Sequence, residues 1–273
     1  MTQFVTETGF VTINGAPIYY EIAGEGHPLV LLHAGVADSR MWDEQFAEFA
    51  RQYRVLRYDL RGYGQSSVPA SHFAAHAELA ELLQKLGIEQ SYVLGISYGG
   101  KIALDFTLAY PAMVDALILV APSVSGTQPT PDVLEFYEAE EEALEEEDLH
   151  AATELNLKMW VDGPKRTPTE VSACVRERVR EMQYLAFTTV FPEEAVELDL
   201  EPPAILRLGE VKAPTLVIVG DYDIQAKLDL TQQLASEIGG AQRVVIAGVA
   251  HMVNMEKPAE FNQAVLNFLA QLA

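Results

Sequence analysis

A serine set between small residues is the first feature of the sequence that could do chemistry. Residues 95–99 read Gly-Ile-Ser-Tyr-Gly, a G-x-S-x-G pattern centred on Ser97. An apolar run at residues 92–94 leads into the pattern, and a helical spacing of apolar residues follows it. A serine at a sharp strand-to-helix turn stands clear of the sheet at a helix N-terminus, where developing negative charge is stabilised. The context therefore indicates a nucleophilic serine.

A serine hydroxyl needs a base to take its proton, and histidine is the natural candidate. The sequence contains six histidines. Of these, His251 follows a late apolar run at residues 244–246 and precedes the pattern of the final helix. Because open α/β sheets hold their sites at the carboxyl ends of the strands, His251 and Ser97 are predicted to meet at one edge of the sheet.

The imidazole in turn needs a carboxylate that orients it. The apolar run at residues 216–219 ends in Gly-Asp-Tyr-Asp at residues 220–223. On the pattern alone, either Asp221 or Asp223 could serve. The chain thus offers a nucleophile, an acid and a base in that order.

The elements that would position these residues are visible as changes in hydrophobic pattern. Alternation around Asn14-Gly15 predicts an N-terminal hairpin, and Pro17 in its second arm predicts an edge strand. Continuous apolar runs predict buried parallel strands at residues 29–32, 55–58, 92–94, 116–120, 216–219 and 244–246. Helical spacing occurs at residues 79–86, 102–109 and 261–272. The predicted fold class is α/β, a doubly wound and mostly parallel sheet with an N-terminal antiparallel hairpin and an inserted helical cap.

One stretch interrupts the alternation of strands and helices. Residues 123–208 lack clear strand runs, are very acidic at residues 132–148 and then carry larger apolar side chains. We therefore predict a core formed by residues 1–122 and 209–273, with residues 123–208 as a helical cap, or lid. Candidate pocket walls are large side chains of the cap and neighbours of the predicted site: Val36, Met159, Trp160, Tyr184, Phe187 and Met252.

Composition and charge exclude several classes of function. The 273-residue chain is 49% hydrophobic and has a formal net charge of −22. Nucleic acids and anionic membranes would be repelled by such a surface, so neither is expected as a partner. The single cysteine, Cys174, permits no intrachain disulfide, and residues 1–10 lack a leader pattern, so a cytoplasmic location is expected. No metal or dinucleotide motif is present in the sequence, and no cofactor is expected.

These segments together resemble the α/β-hydrolase superfamily over nearly the whole chain outside the cap. The matching pieces are Leu-Leu-His-Ala-Gly at residues 31–35, Tyr-Asp-Leu-Arg-Gly-Tyr-Gly-Gln-Ser at 58–66, the turn at 95–99, the turn at 220–223 and Gly-Val-Ala-His at 248–251. The order serine, acid, histidine is also that of the superfamily. The resemblance implies Asp223 as the acid and the backbone N–H groups of Gly35 and Tyr98 as the oxyanion hole. Ala34 departs from the family pattern, which has glycine there.

The resemblance implies a serine hydrolase that cleaves small carboxylic esters through a Ser-His-Asp triad and an acyl-enzyme, as a carboxylesterase does. Residues 54–59 and 66–69 are similar to 3-oxoadipate enol-lactonases, so an enol-lactonase is an alternative, as is a C–C bond hydrolase on the same triad. A small-molecule receptor with little turnover is the rival class, because an intact triad does not exclude it. The expected partner is a small ester or lactone substrate.

Overall fold

An eight-stranded sheet forms the centre of the fold. The structure is a computed structural model and describes residues 5–272. The prediction that residues 1–10 lack a leader therefore falls partly on residues 1–4, which lie outside the described part. The strands are β1 (Glu7–Ile13), β2 (Ala16–Ala23), β3 (Pro28–Leu32), β4 (Arg54–Tyr58), β5 (Ser91–Ile96), β6 (Val114–Val120), β7 (Thr215–Gly220) and β8 (Gln242–Ile246). Their order in the sheet is β1-β2-β4-β3-β5-β6-β7-β8. The β1–β2 and β2–β4 pairs are antiparallel, and the others are parallel.

Helices cover both faces of the sheet. They are α1 (Asp43–Phe49), α2 (Ala75–Lys85), α3 (Tyr98–Ala109), α4 (Pro131–Glu145), α5 (Leu149–Asn156), α6 (Ala173–Phe187), α7 (Gln225–Glu237), α8 (Val253–Glu256) and α9 (Pro258–Leu269). Successive residues of β3 belong to different hydrophobic clusters: Leu29 and Leu31 pack with α1 and α9, whereas Val30 and Leu32 pack with α2 and α3. Burial on both faces explains why these strands are continuous apolar runs. No helix within residues 5–272 is long and apolar enough to cross a membrane.

The structure confirms the predicted fold class and the hairpin. Each of the six apolar runs lies within one of the strands β3 to β8, and the three helical spacings correspond to α2, α3 and α9. Asn14 and Gly15 both have positive φ, 44° and 77°, as a two-residue turn of the I′ type requires.

The prediction of an edge strand at Pro17 is wrong for the strand as a whole. β2 lies between β1 and β4, and β1 forms the edge. The partner strand β4 pairs only with residues Tyr20 to Ala23, so the sheet does not require an N–H from Pro17 on that side. The carbonyl of Pro17 instead accepts a hydrogen bond from the N–H of Ser67 at 3.1 Å.

Helices also fill the stretch between β6 and β7. We call residues 123–208 the helical insertion; it contains α4, α5 and α6, and a π-helical turn at Leu157–Asp162 continues α5. α5 packs against both α4 and α6. An isolated bridge joins Glu197 of the insertion to Phe73, which precedes α2. The insertion therefore contacts the sheet-bearing part of the chain beyond the points where it leaves and returns.

Candidate active site

Ser97 lies in a strained turn between β5 and α3. Its backbone has φ 54° and ψ −111°, outside the region that side-chain-bearing residues prefer. The turn is held on both sides, because the N–H of Ser97 donates to the carbonyl of Val120 at 3.0 Å and its carbonyl accepts from Ser123 N–H at 2.9 Å. Strained residues of this kind are concentrated at functional sites.

Two glycines make the turn sterically possible. A Cβ on Gly95 would lie 2.1 Å from the carbonyl oxygen of Gly99, and a Cβ on Gly99 would lie 2.4 Å from the carbonyl oxygen of Leu32. The N–H of Gly99 also donates to the carbonyl of His33 at 3.1 Å. The absence of side chains at these positions thus lets β5, α3 and the loop after β3 approach closely.

His251 and Asp223 form a buried pair at the carboxyl ends of the neighbouring strands β8 and β7. Nδ1 of His251 lies 2.8 Å from Oδ2 of Asp223, and each side chain is 1% exposed. Oδ1 of Asp223 accepts from the N–H of Ile224 at 2.8 Å. A carboxylate on Nδ1 keeps the proton there, which leaves Nε2 free to accept one. The pair can therefore hold an imidazole ready to act as a base.

Asp221, the other aspartate of the same turn, has different partners. Its carboxylate accepts from the backbone N–H of Gly248, and its own N–H donates to the carbonyl of Ile246 at 3.1 Å. Asp221 consequently braces the loop that follows β8, whereas Asp223 contacts the imidazole.

A cavity of about 710 Å³ brings the predicted groups together. Ser97, His251, Gly35 and Tyr98 all line it. Of the predicted pocket residues, Val36, Trp160 and Phe187 line it as well. Trp160 lies against the imidazole, with ring centroids 4.9 Å apart, and packs edge-on against Phe136 of α4 at 5.6 Å. The helical insertion thus supplies an aromatic wall directly beside His251.

The other three predicted pocket residues do not line the cavity. Met159 packs against the hydrophobic core, Met252 is fully buried within it, and Tyr184 stacks on His150 with centroids 4.8 Å apart. Met159 and Trp160 are adjacent in the π-helical turn at Leu157–Asp162, and only Trp160 faces the cavity.

Gly35 and Tyr98 lie side by side on the cavity wall. A Cβ on Gly35 would be 3.6 Å from the Cβ of Tyr98. Within residues 5–272, neither backbone N–H donates to another protein group. Unpaired N–H groups beside a serine can receive an oxygen that acquires negative charge.

His33 fixes the loop that carries Gly35. Its Nδ1 donates to the carbonyl of Ala34 at 2.8 Å, and its Nε2 accepts from the N–H of Leu60 at 2.9 Å. Burial lowers the pKa of His33, which favours the neutral ring that this pattern needs. The histidine thereby joins the loop after β3 to the loop after β4.

A buried ion pair joins the helical insertion to the loop of His251. Arg166 and Glu256 are each 6% exposed, and their side chains meet at 2.5 Å. Arg166 also donates to the carbonyl of Asp162 at 2.9 Å, while Glu256 accepts from the N–H of Ala250 at 3.1 Å. The loop of His251 is therefore held from the insertion as well as from the sheet.

Polar residues that were not predicted also lie on the cavity wall, among them Lys227 and Gln183. Lys227 of α7 is buried, and this burial lowers its pKa to about 8, against the opposing effect of the Asp223 carboxylate. Gln183 of α6 is 4% exposed, and its Oε1 has no partner in the described part of the chain. A signal for Lys227 existed: it falls on the same helical face as Thr231 and Leu234, which are buried.

The chain is similar to known proteins along most of its length. The family model described as alpha/beta hydrolase fold matches residues 27–258. A 2-hydroxy-6-oxo-6-phenylhexa-2,4-dienoate hydrolase from Comamonas testosteroni is 28% identical over 93% of this chain and 91% of its own. A pimeloyl (acyl-carrier protein) methyl ester esterase from Yersinia enterocolitica is 29% identical over 93% of this chain and 98% of its own. The crystal structure of the enol-lactonase from Burkholderia xenovorans has a TM-score of 0.78 at 25% identity, and the match covers 96% of this chain and 99% of that one.

Proposed function

The chain is a hydrolase of the α/β-hydrolase family, and we propose that it cleaves small carboxylic esters with Ser97 as nucleophile, His251 as base and Asp223 as orienting acid. The family match confirms the resemblance found in the sequence. One observation carries the proposal: a strained serine and a histidine bonded to a buried carboxylate line the same cavity. That combination is what nucleophilic acyl chemistry needs.

In the first half of the proposed reaction, Oγ of Ser97 attacks the ester carbonyl carbon while Nε2 of His251 takes the hydroxyl proton. The carbonyl oxygen becomes an oxyanion and is received by the N–H groups of Gly35 and Tyr98. Asp223 stabilises the imidazolium that forms. When the tetrahedral intermediate collapses, His251 returns the proton to the departing alcohol, and the acyl group remains on Ser97.

In the second half, water replaces the alcohol. His251 takes a proton from the water as its oxygen attacks the acyl carbon, and the same two N–H groups receive the oxyanion. Collapse breaks the bond to Oγ, which regains its proton from His251, and the carboxylic acid leaves. Ser97, His251, Gly35 and Tyr98 line the cavity, and Asp223 acts from behind the imidazole.

We propose that the helical insertion, residues 123–208, acts as a cap over a core formed by residues 1–122 and 209–273. This proposal is supported by the position of Trp160, Phe136 and Phe187, which come from the insertion and line the cavity next to His251. Side chains of the cap would then select the acyl group, while the core performs the chemistry.

An enol-lactonase is a second candidate, because the solved enol-lactonase of Burkholderia xenovorans superposes over 96% of this chain. A lactone is an internal ester, so the same triad would open it without any change of mechanism. A panel of p-nitrophenyl esters and small lactones separates the two activities by the ratio of their kcat/KM values.

A fluorophosphonate probe followed by peptide mapping tests the proposal directly. We expect the label on Ser97 and none on Ser123, the other serine that lines the cavity. We also expect Ser97→Ala to abolish ester turnover, whereas replacement of the exposed Ser67 by alanine leaves it unchanged. Ligand-dependent melting shifts without product, together with an unlabelled Ser97 in folded protein, would instead favour the receptor.

A further inference from the structure

A lysine lies on the wall of the candidate active-site cavity. Among the described lining residues, Lys227 is the only lysine or arginine. Its Nζ donates to the carbonyl of Pro122 at 3.0 Å and to Oγ of Ser123 at 3.1 Å. An ammonium group has three N–H donors, so one has no acceptor among residues 5–272.

Among the described residues, no carboxylate forms a direct ion pair with this ammonium group, although the Asp223 carboxylate is near enough to raise its pKa. Within the described residues, no carboxylate lies within 4.0 Å of Nζ, the limit for an ion pair. The nearby Asp223 uses one oxygen for His251 and the other for the N–H of Ile224. A buried ammonium group without a directly paired carboxylate is costly to keep, so its position on a substrate cavity favours an anion there.

We infer that Lys227 determines specificity by binding a carboxylate of the substrate, so that the preferred ester is the half-ester of a short dicarboxylic acid. The inference rests on the proposed ester hydrolysis and adds the substrate class. The anion binds at the free N–H of Nζ, and the scissile ester at the other end of the same acyl chain lies at Ser97.

The acyl chain must be short because Lys227 and the nucleophile share neighbours. Ser123 accepts from Nζ through Oγ and donates to the carbonyl of Ser97 through its N–H. Trp160 contacts both Lys227 and the proposed base, since its ring centroid lies 6.0 Å from Nζ and 4.9 Å from the centroid of the His251 ring. These shared neighbours place the ammonium group near the nucleophile, which favours a short acyl chain between the carboxylate and the scissile ester of the substrate.

The two acidic residues of the cavity wall have other partners. Glu140 of α4 accepts from the side-chain amide of Asn156, and the exposed Asp229 accepts from the side chain of Gln225 at 2.7 Å. A substrate carboxylate would be repelled by either of these groups and attracted by Lys227. Among the described lining residues, Lys227 is therefore the basic side chain that attracts an anion.

Matched esters test the inference. Mono-p-nitrophenyl glutarate and p-nitrophenyl valerate have acyl chains of the same carbon number, and only the first carries a carboxylate. We expect wild-type protein to prefer the glutarate ester, and Lys227→Met to reduce that kcat/KM ratio by about tenfold or more, mainly through KM, because a charge-assisted hydrogen bond is lost. Lys212→Met removes an exposed charge and should leave the ratio unchanged.

A merely structural lysine would lower the turnover of both esters together, so an unchanged ratio in Lys227→Met overturns the inference. An equal fall in Lys212→Met also overturns it, since the effect would then be long-range. If Lys227→Met does not fold, Lys227→Gln is measured in its place, and the same ratio decides.

Failure of the proposed function is a separate outcome. If wild-type protein hydrolyses neither ester, ester hydrolysis is refuted, and calorimetry with glutarate then decides the role of Lys227. Glutarate binding that is present in wild-type protein and lost in Lys227→Met supports the anion site. Equal binding, or none to either protein, overturns it.

Discussion

Replacing Asp223 by asparagine separates the two aspartates of the turn after β7. In the native protein, Oδ1 of Asp223 accepts from the N–H of Ile224, and Oδ2 faces Nδ1 of His251. An asparagine must keep its oxygen on the Ile224 N–H, because that donor is otherwise buried and unpaired. Its NH₂ group then points at Nδ1 of His251 and forces that nitrogen to be the acceptor.

The consequence for activity follows from the tautomer. With Nδ1 as acceptor, the imidazole carries its proton on Nε2 and cannot take one from Ser97. The same exchange in a serine protease triad lowers kcat by about 10⁴-fold, or about 5.5 kcal/mol in the activation barrier, and we expect a loss of that order here. Asparagine is nearly isosteric with aspartate, so the fold is retained.

Steady-state hydrolysis of p-nitrophenyl butyrate measures the effect, with circular dichroism to verify folding. Asp221→Asn is the matched control: its amide oxygen still accepts from the N–H of Gly248, and kcat should change by less than about threefold. The reasoning is refuted if Asp221→Asn loses as much activity as Asp223→Asn, or if Asp223→Asn keeps more than about a tenth of the wild-type kcat.

Three further predictions concern the turn, the ion pair and the buried lysine. Gly95→Ala would place a Cβ 2.1 Å from a backbone oxygen, so it should lower the free energy of unfolding by about 1–3 kcal/mol and abolish labelling of Ser97. Gly239→Ala, which has open space around it, should have neither effect. Urea denaturation measures the stability, and the fluorophosphonate probe measures the labelling. Arg166→Met leaves the Glu256 carboxylate buried without its ionic partner and should lower the free energy of unfolding, measured by urea denaturation, by about 3–5 kcal/mol. Adding Glu256→Gln should recover part of that loss. An Arg166→Met variant as stable as the wild type would contradict the importance of the ion pair. Burial lowers the pKa of Lys227 to about 8 from its usual 10.5, so between these pH values the folded protein releases a proton that the unfolded chain still holds. The free energy of unfolding, relative to that of Lys227→Met, should therefore rise by about 3 kcal/mol from pH 8 to pH 10.5. A difference that does not depend on pH would show that the ammonium group is not buried.

The parts of the fold that were predictable are those where local chemistry leaves little choice. Strands buried on both faces must be apolar throughout, which is why the runs that became β3 to β8 were visible in the sequence. Asn14-Gly15 suits a turn that needs two positive φ angles. The prediction from Pro17 was wrong because proline removes only one backbone N–H donor, whereas the position of a strand in the sheet depends on partners that are distant in the sequence.

The cavity wall was less accessible from the sequence because it depends on side-chain direction in the helical insertion. Trp160 lines the cavity and Met159 does not, and a continuous stretch of large apolar residues gives no indication of which one faces inward. The π-helical turn at Leu157–Asp162 also departs from the usual helical period. Lys227 was not predicted because a basic residue on a helix is usually exposed. Only the burial of its neighbours on the same helical face distinguishes it from an ordinary surface lysine.

The position of β8 at the end of the sheet has a consequence for how the protein is made. Ser97 and its turn leave the ribosome before the proposed base, which follows β8, the last strand among the described residues and the partner of β7. A nascent chain therefore carries the serine without the proposed base, His251, while residues 98–250 are synthesised. If the proposed triad acts, hydrolysis begins only after β8 has joined the sheet, so the onset of turnover during translation would report completion of the sheet.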